Sequence, residues 1–429
     1  MAMSVISMGF LLLLVLGVPI GAYLGVSAVI TMFAFSLGTG MLAVNFCSGI
    51  ASFPLLAIPF FVLAGVILER AGLAATIARF FELLVGQTTG GLAIVAVLTC
   101  MFWGALSGSG PATTAAVGLI LFTPMVRQGY KKAFAGSLIA NASDLSIIIP
   151  PSIAFIIYGS ITSVSVSALF VAGIIPGIIV GLGMMLMAYI ISRHRGYRGL
   201  ERRGTLREIA AALYRSTWAL LTPVVILGGI YSGIFTPSEA AVVAAFYSLF
   251  VAAFVYRSIT WRDLLEILVD ASVTSSVIMF IVVFAGIFTW VASVLGIIDA
   301  AANFIVRVSP NAVAMIMLVN VLLLILGMFL DAISISYILM PILMPVLKAF
   351  QVDPLWYGVI FVVALAIGQT TPPVGVNLFT AANLVGTDLD SLAKETLWFV
   401  AIATVGLIIL SLFPTLSTWL PIKAGLYRP

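Results

Sequence analysis

The sequence predicts an all-α polytopic membrane protein that contains two inverted repeats. Of its 429 residues, 63% are hydrophobic and only 8% are charged, whereas a soluble domain carries about 25% charged residues. Apolar stretches of roughly 20 residues, the length that crosses the hydrocarbon core, recur along the chain. Two long apolar segments are interrupted by small and polar residues, and each precedes a helix broken at a proline pair. Because a helix satisfies its own backbone groups in lipid, this pattern predicts a membrane fold.

The charge distribution predicts the orientation in the membrane. Seven of the 19 basic residues lie in one segment: Arg193, Arg195, Arg198, Arg202, Arg203, Arg207 and Arg215. By the positive-inside rule we expect loop 193–215 to be cytoplasmic. A site for a lipid headgroup or a partner is the alternative. The net charge of +4 therefore reflects topology, and we predict no nucleic-acid binding.

The sequence offers no catalytic set of side chains. His194 is the only histidine and lies in the basic loop, while Cys47 and Cys100 have apolar surroundings. These residues predict neither a disulfide framework nor a metal cluster. An intramembrane serine protease would need a buried histidine base, and a dinucleotide-binding glycine motif fails at Thr113. We therefore predict that the chain is not an enzyme.

Seven apolar stretches are predicted to span the membrane: 4–36, 53–68, 167–192, 216–234, 238–256, 271–295 and 396–421. The first is too long for one straight crossing, so we expect a bend at Pro19 or a split. Residues 70–85 mix charged and apolar positions, which predicts an amphipathic helix at the interface. Five segments follow: scaffold spans and an interfacial arm (1–90), a first transport repeat (91–165), scaffold spans with the basic loop and a second arm (166–308), a second transport repeat (309–390) and a C-terminal span (391–429).

Each predicted repeat is a re-entrant hairpin followed by a broken helix. The first hairpin, 91–126, is interrupted at Ser107–Pro111, and the second, 310–348, between Gly327 and Ser336. In the broken helices, Asn141–Asp144 leads to Pro150-Pro151 and Gly368–Thr371 leads to Pro372-Pro373. The two proline pairs lie 222 residues apart. Both ends of each hairpin fall on one side, and the two hairpins enter from opposite faces, as in the inverted repeats of secondary transporters.

The interruptions supply groups that can bind a solute and a cation. Half-helix N-termini present free amides to an anion, while unwound carbonyls and hydroxyls can bind Na⁺. Tight helix packing through small residues is the alternative. Asp144 and Asp331 are predicted either to ligate or orient a Na⁺ site or to cap a half-helix. Thr236-Pro237-Ser238-Glu239 is predicted to be a capping box with proline at the first helical position.

Four segments resemble a known transporter family. They are LLLLVLGVPIGAYLG at the N-terminus, SGSGPATTAAVG in the first hairpin, GGIYSGIFTPSEAAVVAAFY between two spans and GQTTPPVGVNLF in the second broken helix. Together they resemble the large membrane subunit of tripartite ATP-independent periplasmic (TRAP) transporters, the DctM-like family. The resemblance extends over nearly the whole chain, and GIFTPSEAA is its most distinctive part.

The resemblance implies a sodium-driven secondary carrier with an elevator-type ion-transporter fold in the bacterial inner membrane. It also implies two partners, a periplasmic solute-binding protein and a small four-helix membrane subunit. Because this chain lacks extra N-terminal spans, we expect the small subunit to be a separate polypeptide. The solute is expected to be a carboxylate such as a C4-dicarboxylate or a sialic acid. A stand-alone anion carrier of the same architecture and a passive channel are the alternatives.

The resemblance also implies which residues bind the ions and the solute. One Na⁺ site would comprise Ser107, Gly108, Ser109, Asn141 and Asp144, and a second Gly327, Asp331, Gly368, Thr370 and Thr371. The solute would bind between them, against Ser107, Gly108, Ser109, Gly110, Pro111, Pro150, Pro151, Thr371, Pro372 and Pro373.

Overall fold

The computed structural model describes residues 6, 8–10, 12–13, 16–38, 40–200 and 204–428. Every regular element in these residues is a helix, and no strand occurs among them. Seven helical stretches of the described chain are long and apolar enough to cross a membrane, and a bent pair, Lys132–Ile148 with Ile153–Thr162, makes a possible eighth. This composition confirms the predicted all-α polytopic membrane fold.

One set of helices, here called the scaffold group, contains a long helix against which several of the others pack. Its members are α1 (Ile20–Ala34), α2 (Gly40–Ile50), α3 (Ala57–Arg70), α4 (Leu73–Val85), α11 (Leu206–Tyr231), α12 (Pro237–Phe250), α13 (Trp261–Val294) and α14 (Ile297–Val308). Helix α13 packs against α1, α2 and α3, and α12 packs along α3. The 3-10 turn Phe53–Leu56 precedes α3.

The remaining helices, here called the repeat group, contain both interrupted segments. They are α5 (Gly91–Ser107), α6 (Gly110–Arg127), α7 (Lys132–Ser143), α8 (Leu145–Ile148), α9 (Ile153–Thr162), α10 (Val166–Arg195), α15 (Ala312–Gly327), α16 (Ala332–Ala349), α17 (Pro354–Gly368), α18 (Val376–Val385), α19 (Leu389–Leu412) and α20 (Thr415–Lys423). Helices α5 and α6 form the first hairpin, and α15 and α16 form the second. Helices α7 to α9 form the first broken helix, and α17 and α18 form the second.

The two repeats pack against each other through equivalent pairs of helices. The second helix of the first hairpin, α6, packs against α18, and the second helix of the second hairpin, α16, packs against α9. Each hairpin therefore lies on the distal half of the other repeat's broken helix. A close approach recurs within each repeat: a Cβ on Gly104 would lie 2.4 Å from the Cα of Ser146, and one on Gly327 would lie 2.7 Å from the Cα of Gly368. These paired contacts agree with the predicted repeats.

Helix α10 packs with the repeats rather than with the scaffold group. It lies against α5, α19 and α20 and also contacts α17. Near its end, Arg195 forms an ion pair with Glu395 of α19 at 2.8 Å and lies over the ring of Phe134 on α7. The five-segment division of the chain stays a prediction.

Several predicted boundaries were wrong where a helix continues past its apolar stretch. Helix α11 begins at Leu206 rather than 216, and α13 at Trp261 rather than 271. In both, a threonine capping box starts the helix inside the charged segment, where hydrophobicity gives no signal. The predicted loop 193–215 is consequently mostly helical, and residues 196–205 connect α10 to α11.

The first and last predicted spans are also divided. A turn at 16–19 precedes α1, so the expected break at Pro19 is confirmed, and part of 4–36 lies outside the described residues. The last span, predicted at 396–421, begins at Leu389 and stops at Leu412, before Phe413-Pro414. Helix α2 was not predicted. The predicted amphipathic helix at 70–85 is α4, which buries Leu73, Ile77 and Phe81.

The capping box at the start of α12 is confirmed as a structural feature. The Glu239 amide donates to Thr236 Oγ1 at 3.3 Å, and the Thr236 amide donates to Glu239 Oε2 at 2.8 Å. Pro237 occupies the first helical position, where its missing N–H costs nothing. This distinctive motif therefore starts a helix.

The glycine contact inside the second repeat is expected to tolerate no side chain. A Cβ on Gly368 would lie 2.7 Å from the backbone of Gly327, so Gly368→Ala should lower the free energy of unfolding by about 1–3 kcal/mol through overpacking. Thermal unfolding of the purified protein in detergent measures this. The control is Gly286→Ala on α13, where no atom lies within 4 Å of the added Cβ. Equal unfolding temperatures for the two variants would refute the contact.

Candidate functional site

A cavity of about 410 Å³ lies where the two repeats meet the scaffold group. The hairpin tips contribute Ser109 and Asp331 to its wall, and the second broken helix contributes Gln369. On the opposite side the wall is α13, whose lining residues are apolar apart from Thr274. The cavity is thus lined by both interruptions and by one continuous helix.

Four helices begin at this cavity. First-turn residues of α6 (Gly110), α9 (Ile153), α16 (Ala332) and α18 (Val376) all line it. The first four amides of a helix have no partner within the helix, and its N-terminus carries about half a positive charge. Among the described residues, the lining contains no lysine or arginine, and Asp331 is its only ionisable residue. Helix ends are therefore the source of positive potential in this cavity.

Three of these four N-termini have no side-chain cap. No side chain accepts a capping hydrogen bond at the starts of α6, α9 and α18. By contrast, α11, α12 and α13 of the scaffold group each begin with a complete capping box. The uncapped ends of α6 and α9 leave first-turn amides available to a ligand in the cavity, which is the arrangement used for anions at helix N-termini. In α18 the Asn377 amide already donates to the Gln369 carbonyl at 3.1 Å.

Asp331 caps the fourth N-terminus. Its Oδ2 accepts from the amides of Ile333 at 2.9 Å and Ser334 at 3.2 Å, and its Oδ1 accepts from Ser334 Oγ at 2.5 Å. The predicted interruption from Gly327 to Ser336 is accordingly shorter, because α16 is already helical from Ala332. A carboxylate offers about four lone-pair sites, so a cap that also lines the cavity can still contact an ion.

Asp144 joins the two broken helices. It is buried, and its Oδ2 accepts from Thr370 Oγ1 at 2.7 Å while Oδ1 accepts from Asn377 Nδ2 at 2.8 Å. It makes no capping hydrogen bond to α8. The structure therefore does not show Asp144 as a helix cap, which was one of the two predicted alternatives. The carboxylate instead reaches from the first repeat to the second, where the prediction had grouped it with the first hairpin tip.

The described hydrogen bonds of Asn141 are made by its amide nitrogen. Its amide donates to the Ser137 carbonyl at 2.8 Å and to Thr396 Oγ1 at 3.3 Å, toward α19. The first hairpin tip approaches the turn after α8, because a Cβ on Gly108 would lie 3.1 Å from the Pro151 carbonyl oxygen. Gly108 adopts a left-handed conformation with φ of 60°, which ends α5.

The second tip contacts its own broken helix. The Gly375 amide donates to the Met328 carbonyl at 3.0 Å. Gly327 and Gly368 are in backbone contact, and Thr371 Oγ1 donates to the Ile367 carbonyl at 2.7 Å. The predicted second group, Gly327, Asp331, Gly368, Thr370 and Thr371, thus lies around one interruption.

Only some of the predicted solute contacts line the cavity. Gly108, Ser109, Gly110 and Pro111 do so. Six others stand outside the lining: Ser107, Pro150, Pro151, Thr371, Pro372 and Pro373. Ser107 Oγ is hydrogen-bonded to Thr113 Oγ1 at 2.7 Å. Both proline pairs are cis and form the turns that separate the halves of the broken helices.

Asn377 is a site residue that the prediction missed. Besides its bond to Asp144, its amide packs against the first tip, since a Cβ on Gly110 would lie 2.5 Å from Asn377 Nδ2. Its Oδ1 is buried and has no hydrogen-bond partner. Asn377 is the polar residue within the apolar run 374–379, which follows the second proline pair. This position could have marked it as a candidate site residue.

The oxygen atoms near the interruptions suit an alkali cation. No group of three or more histidine, cysteine, aspartate or glutamate side chains lies together in the described part of the chain. Around the tips and breaks, the available ligands are hydroxyl, amide and main-chain oxygens with single carboxylates, which are hard ligands. They fit Na⁺ better than a transition metal.

Residues 7–416 match the family described as tripartite ATP-independent periplasmic transporter, DctM component. The large permease protein DctM of a C4-dicarboxylate TRAP transporter from Pseudomonas aeruginosa is 40% identical over 404 residues, 94% of each chain. The chain belongs to the DctM family of TRAP transporters. This TRAP permease is therefore a multi-pass inner-membrane transporter subunit and not an enzyme, as predicted.

The TRAP permease is also similar to one further relative and to one solved structure. The isethionate TRAP transporter permease protein DctMQ of Oleidesulfovibrio alaskensis is 39% identical over 412 residues, which are 95% of this chain but 64% of that protein. The crystal structure of the Alcanivorax borkumensis YdaH transporter, described as having an unusual topology, aligns with a TM-score of 0.64. The alignment covers 92% of this chain and 90% of the YdaH chain at 16% sequence identity, which shows a shared fold.

The link between the two repeats through Asp144 is expected to be stabilising. Asp144→Ala would leave the buried donors of Thr370 and Asn377 unpaired, at about 1–3 kcal/mol each. Thermal unfolding in detergent should show a large loss for Asp144→Ala and a smaller one for Asp144→Asn, which keeps an acceptor. The control is Asp270→Ala, an exposed partner of Arg70. Unfolding of Asp144→Ala at the control's temperature would show that the link contributes nothing.

Proposed function

We propose that this TRAP permease imports a small carboxylate together with Na⁺. The observation that supports this most is the convergence of four helix N-termini on a cavity without lysine or arginine. Such a site attracts the negative end of a solute through main-chain amides. Its size, about 410 Å³, lies within the range of small-molecule pockets.

The relatives support an anionic solute. Both permease proteins described above are named for small organic anions, isethionate and C4-dicarboxylates. A C4-dicarboxylate or a sialic acid carries the carboxylate that the helix ends would contact. The apolar wall of α13 would then face the carbon skeleton, with Thr274 as its one hydroxyl.

Sodium is proposed as the coupling ion because an anion at this depth needs a companion cation. A lone charge inside the membrane is costly unless it is paired. The first Na⁺ is assigned to Ser107, Gly108 and Ser109, and the second to Gly327, Asp331, Gly368, Thr370 and Thr371. Asp144 and Asn377 lie between the two sets, and the unpaired Asn377 Oδ1 is a further candidate ligand.

An elevator movement is proposed from the way the cavity is divided. The repeat group supplies every wall except one, and α13 of the scaffold group supplies that wall. Sliding the repeat group along α13 would expose the cavity first on one side of the membrane and then on the other. A periplasmic binding protein would deliver the solute, and a small membrane subunit would complete the transporter.

Uptake into proteoliposomes tests the coupling ion. Vesicles that contain this chain, its small membrane partner and the binding protein should accumulate a labelled C4-dicarboxylate or sialic acid only under an inward Na⁺ gradient. Accumulation that follows a proton gradient and ignores Na⁺ would reject sodium coupling. Full uptake without the binding protein would favour a stand-alone anion carrier. Uptake without saturation or counterflow would favour a channel.

Two hydroxyl variants test the assigned ion sites. Ser107→Ala and Thr371→Val should each raise the Na⁺ concentration for half-maximal uptake about fivefold, equivalent to about 1 kcal/mol for one lost oxygen ligand. The control is Thr217→Val on α11, outside the assigned ion sites. In the wild-type protein the Thr217 hydroxyl donates to the carbonyl four residues earlier, as that of Thr371 does. If all three variants show the same dependence of uptake on Na⁺ concentration, Ser107 and Thr371 are not Na⁺ ligands.

A further inference from the structure

A second cavity lies between the arm helix α4 and the first turns of α11. Its volume is about 440 Å³, and it shares no lining residue with the solute cavity. Arg79 on α4 and Arg215 on α11 stand in its wall, and Ala75, Ala211 and Ala212 provide space by their small size. A cavity that combines two guanidinium groups with small apolar residues needs an amphipathic occupant.

The walls of this cavity are held in place by hydrogen bonds to backbone. Ser216 Oγ of α11 donates to the Thr76 carbonyl of α4 at 3.1 Å. The Leu200 amide donates to the Gly86 carbonyl at the end of α4 at 2.9 Å. The Tyr256 hydroxyl donates to the Arg215 carbonyl. The start of α4 is therefore bonded to α11, its end is bonded to the segment that follows α10, and α11 is bonded to Tyr256.

The side chains beside the cavity are those of a membrane interface. On α11, Tyr214 is 78% exposed, Leu213 45% and Trp218 38%. Tyrosine and tryptophan are enriched at the level of the lipid headgroups. Helix α4 buries its apolar face and leaves Arg79 exposed, as an interfacial helix does. The opening of the cavity thus faces the boundary between headgroups and acyl chains.

Arg215 is the charged group of this cavity that favours an anion. Arg79 Nη1 lies 2.6 Å from Glu82 Oε2. Glu208 also lines the cavity, and its Oε2 accepts from the Thr205 amide at 2.8 Å and from Thr205 Oγ1 at 3.0 Å. Arg215 has no ion-pair partner within the described residues. A guanidinium matches the oxygens of a phosphate with two parallel hydrogen bonds, so Arg215 favours an anionic lipid over a neutral one.

We propose that the phosphodiester of an anionic glycerophospholipid binds between Arg79 and Arg215. The phosphate contacts both guanidinium groups, and the glycerol lies over Ala75 and Ala211. The acyl chains follow the exposed apolar side chains of α11 into the bilayer. The lipid so bound bridges the arm helix and the scaffold group, and it gives the basic segment a binding role besides its topological one.

Lipid retention by the purified full-length protein tests the site. Native mass spectrometry after incubation with phosphatidylglycerol or phosphatidylcholine should show selective retention of phosphatidylglycerol. Arg79→Gln and Arg215→Gln should each weaken it about fivefold, the factor that corresponds to about 1 kcal/mol per arginine. The control is Arg127→Gln, an exposed arginine outside the cavity. Retention equal to wild type in both cavity variants would overturn the proposal.

A cavity-filling variant separates the site from diffuse attraction to positive charge. Ala211→Trp keeps both arginines but fills the cavity, and it should abolish selective retention while Ala211→Ser preserves it. The unfolding temperature of each variant without lipid establishes that it is folded. If Ala211→Trp retains phosphatidylglycerol as wild type does, the lipid is held by the surface charge alone and the cavity site is wrong. Equal retention of phosphatidylcholine by wild type would overturn the proposed selectivity for an anionic lipid.

Discussion

The whole arrangement depends on how main-chain polar groups are satisfied in a helical membrane fold. A continuous helix satisfies itself in lipid, but a break exposes amides and carbonyls that lipid cannot pair. This chain has such breaks in both repeats, and each is enclosed by protein: the first tip lies against the turn at Pro151, and the second is bonded to Gly375. Only the cavity side of these breaks is left open. The same constraint that would forbid broken helices in lipid therefore concentrates polar backbone at one place, where a solute can use it.

The two repeats are also tied to each other by polar contacts. Asp144 belongs to the first repeat, but its two donors, Thr370 and Asn377, belong to the second. Asn377 in turn packs against the first hairpin at Gly110. A movement at either interruption is thus communicated to the other through buried hydrogen bonds whose loss is costly. Within the proposed function, this gives a physical route by which ion binding at one break can influence the geometry of the other.

Much of the fold could be predicted because glycines, proline pairs and charge clusters mark where apolar helices stop. The breaks after Ser107 and after Gly368 follow from such marks. The early starts of α11 and α13 could not be recognised, because their first turns are charged and resemble a loop until a threonine cap is considered. The contact between Asn141 and α19 could not be predicted for a different reason. Spacing places a side chain on a helix face, but only the packed structure shows that this face meets Thr396 on α19.

The uncapped helix ends around the solute cavity have a consequence for the unloaded protein. An arginine in their place would hold a full charge that persists after the solute leaves, and carrying it back across the bilayer would be expensive. Partial charges of main-chain amides can be solvated by a few waters as soon as the cargo departs. In the proposed cycle, a permease built this way resets at little electrostatic cost, because it attracts an anion without carrying a fixed cation of its own on the return journey.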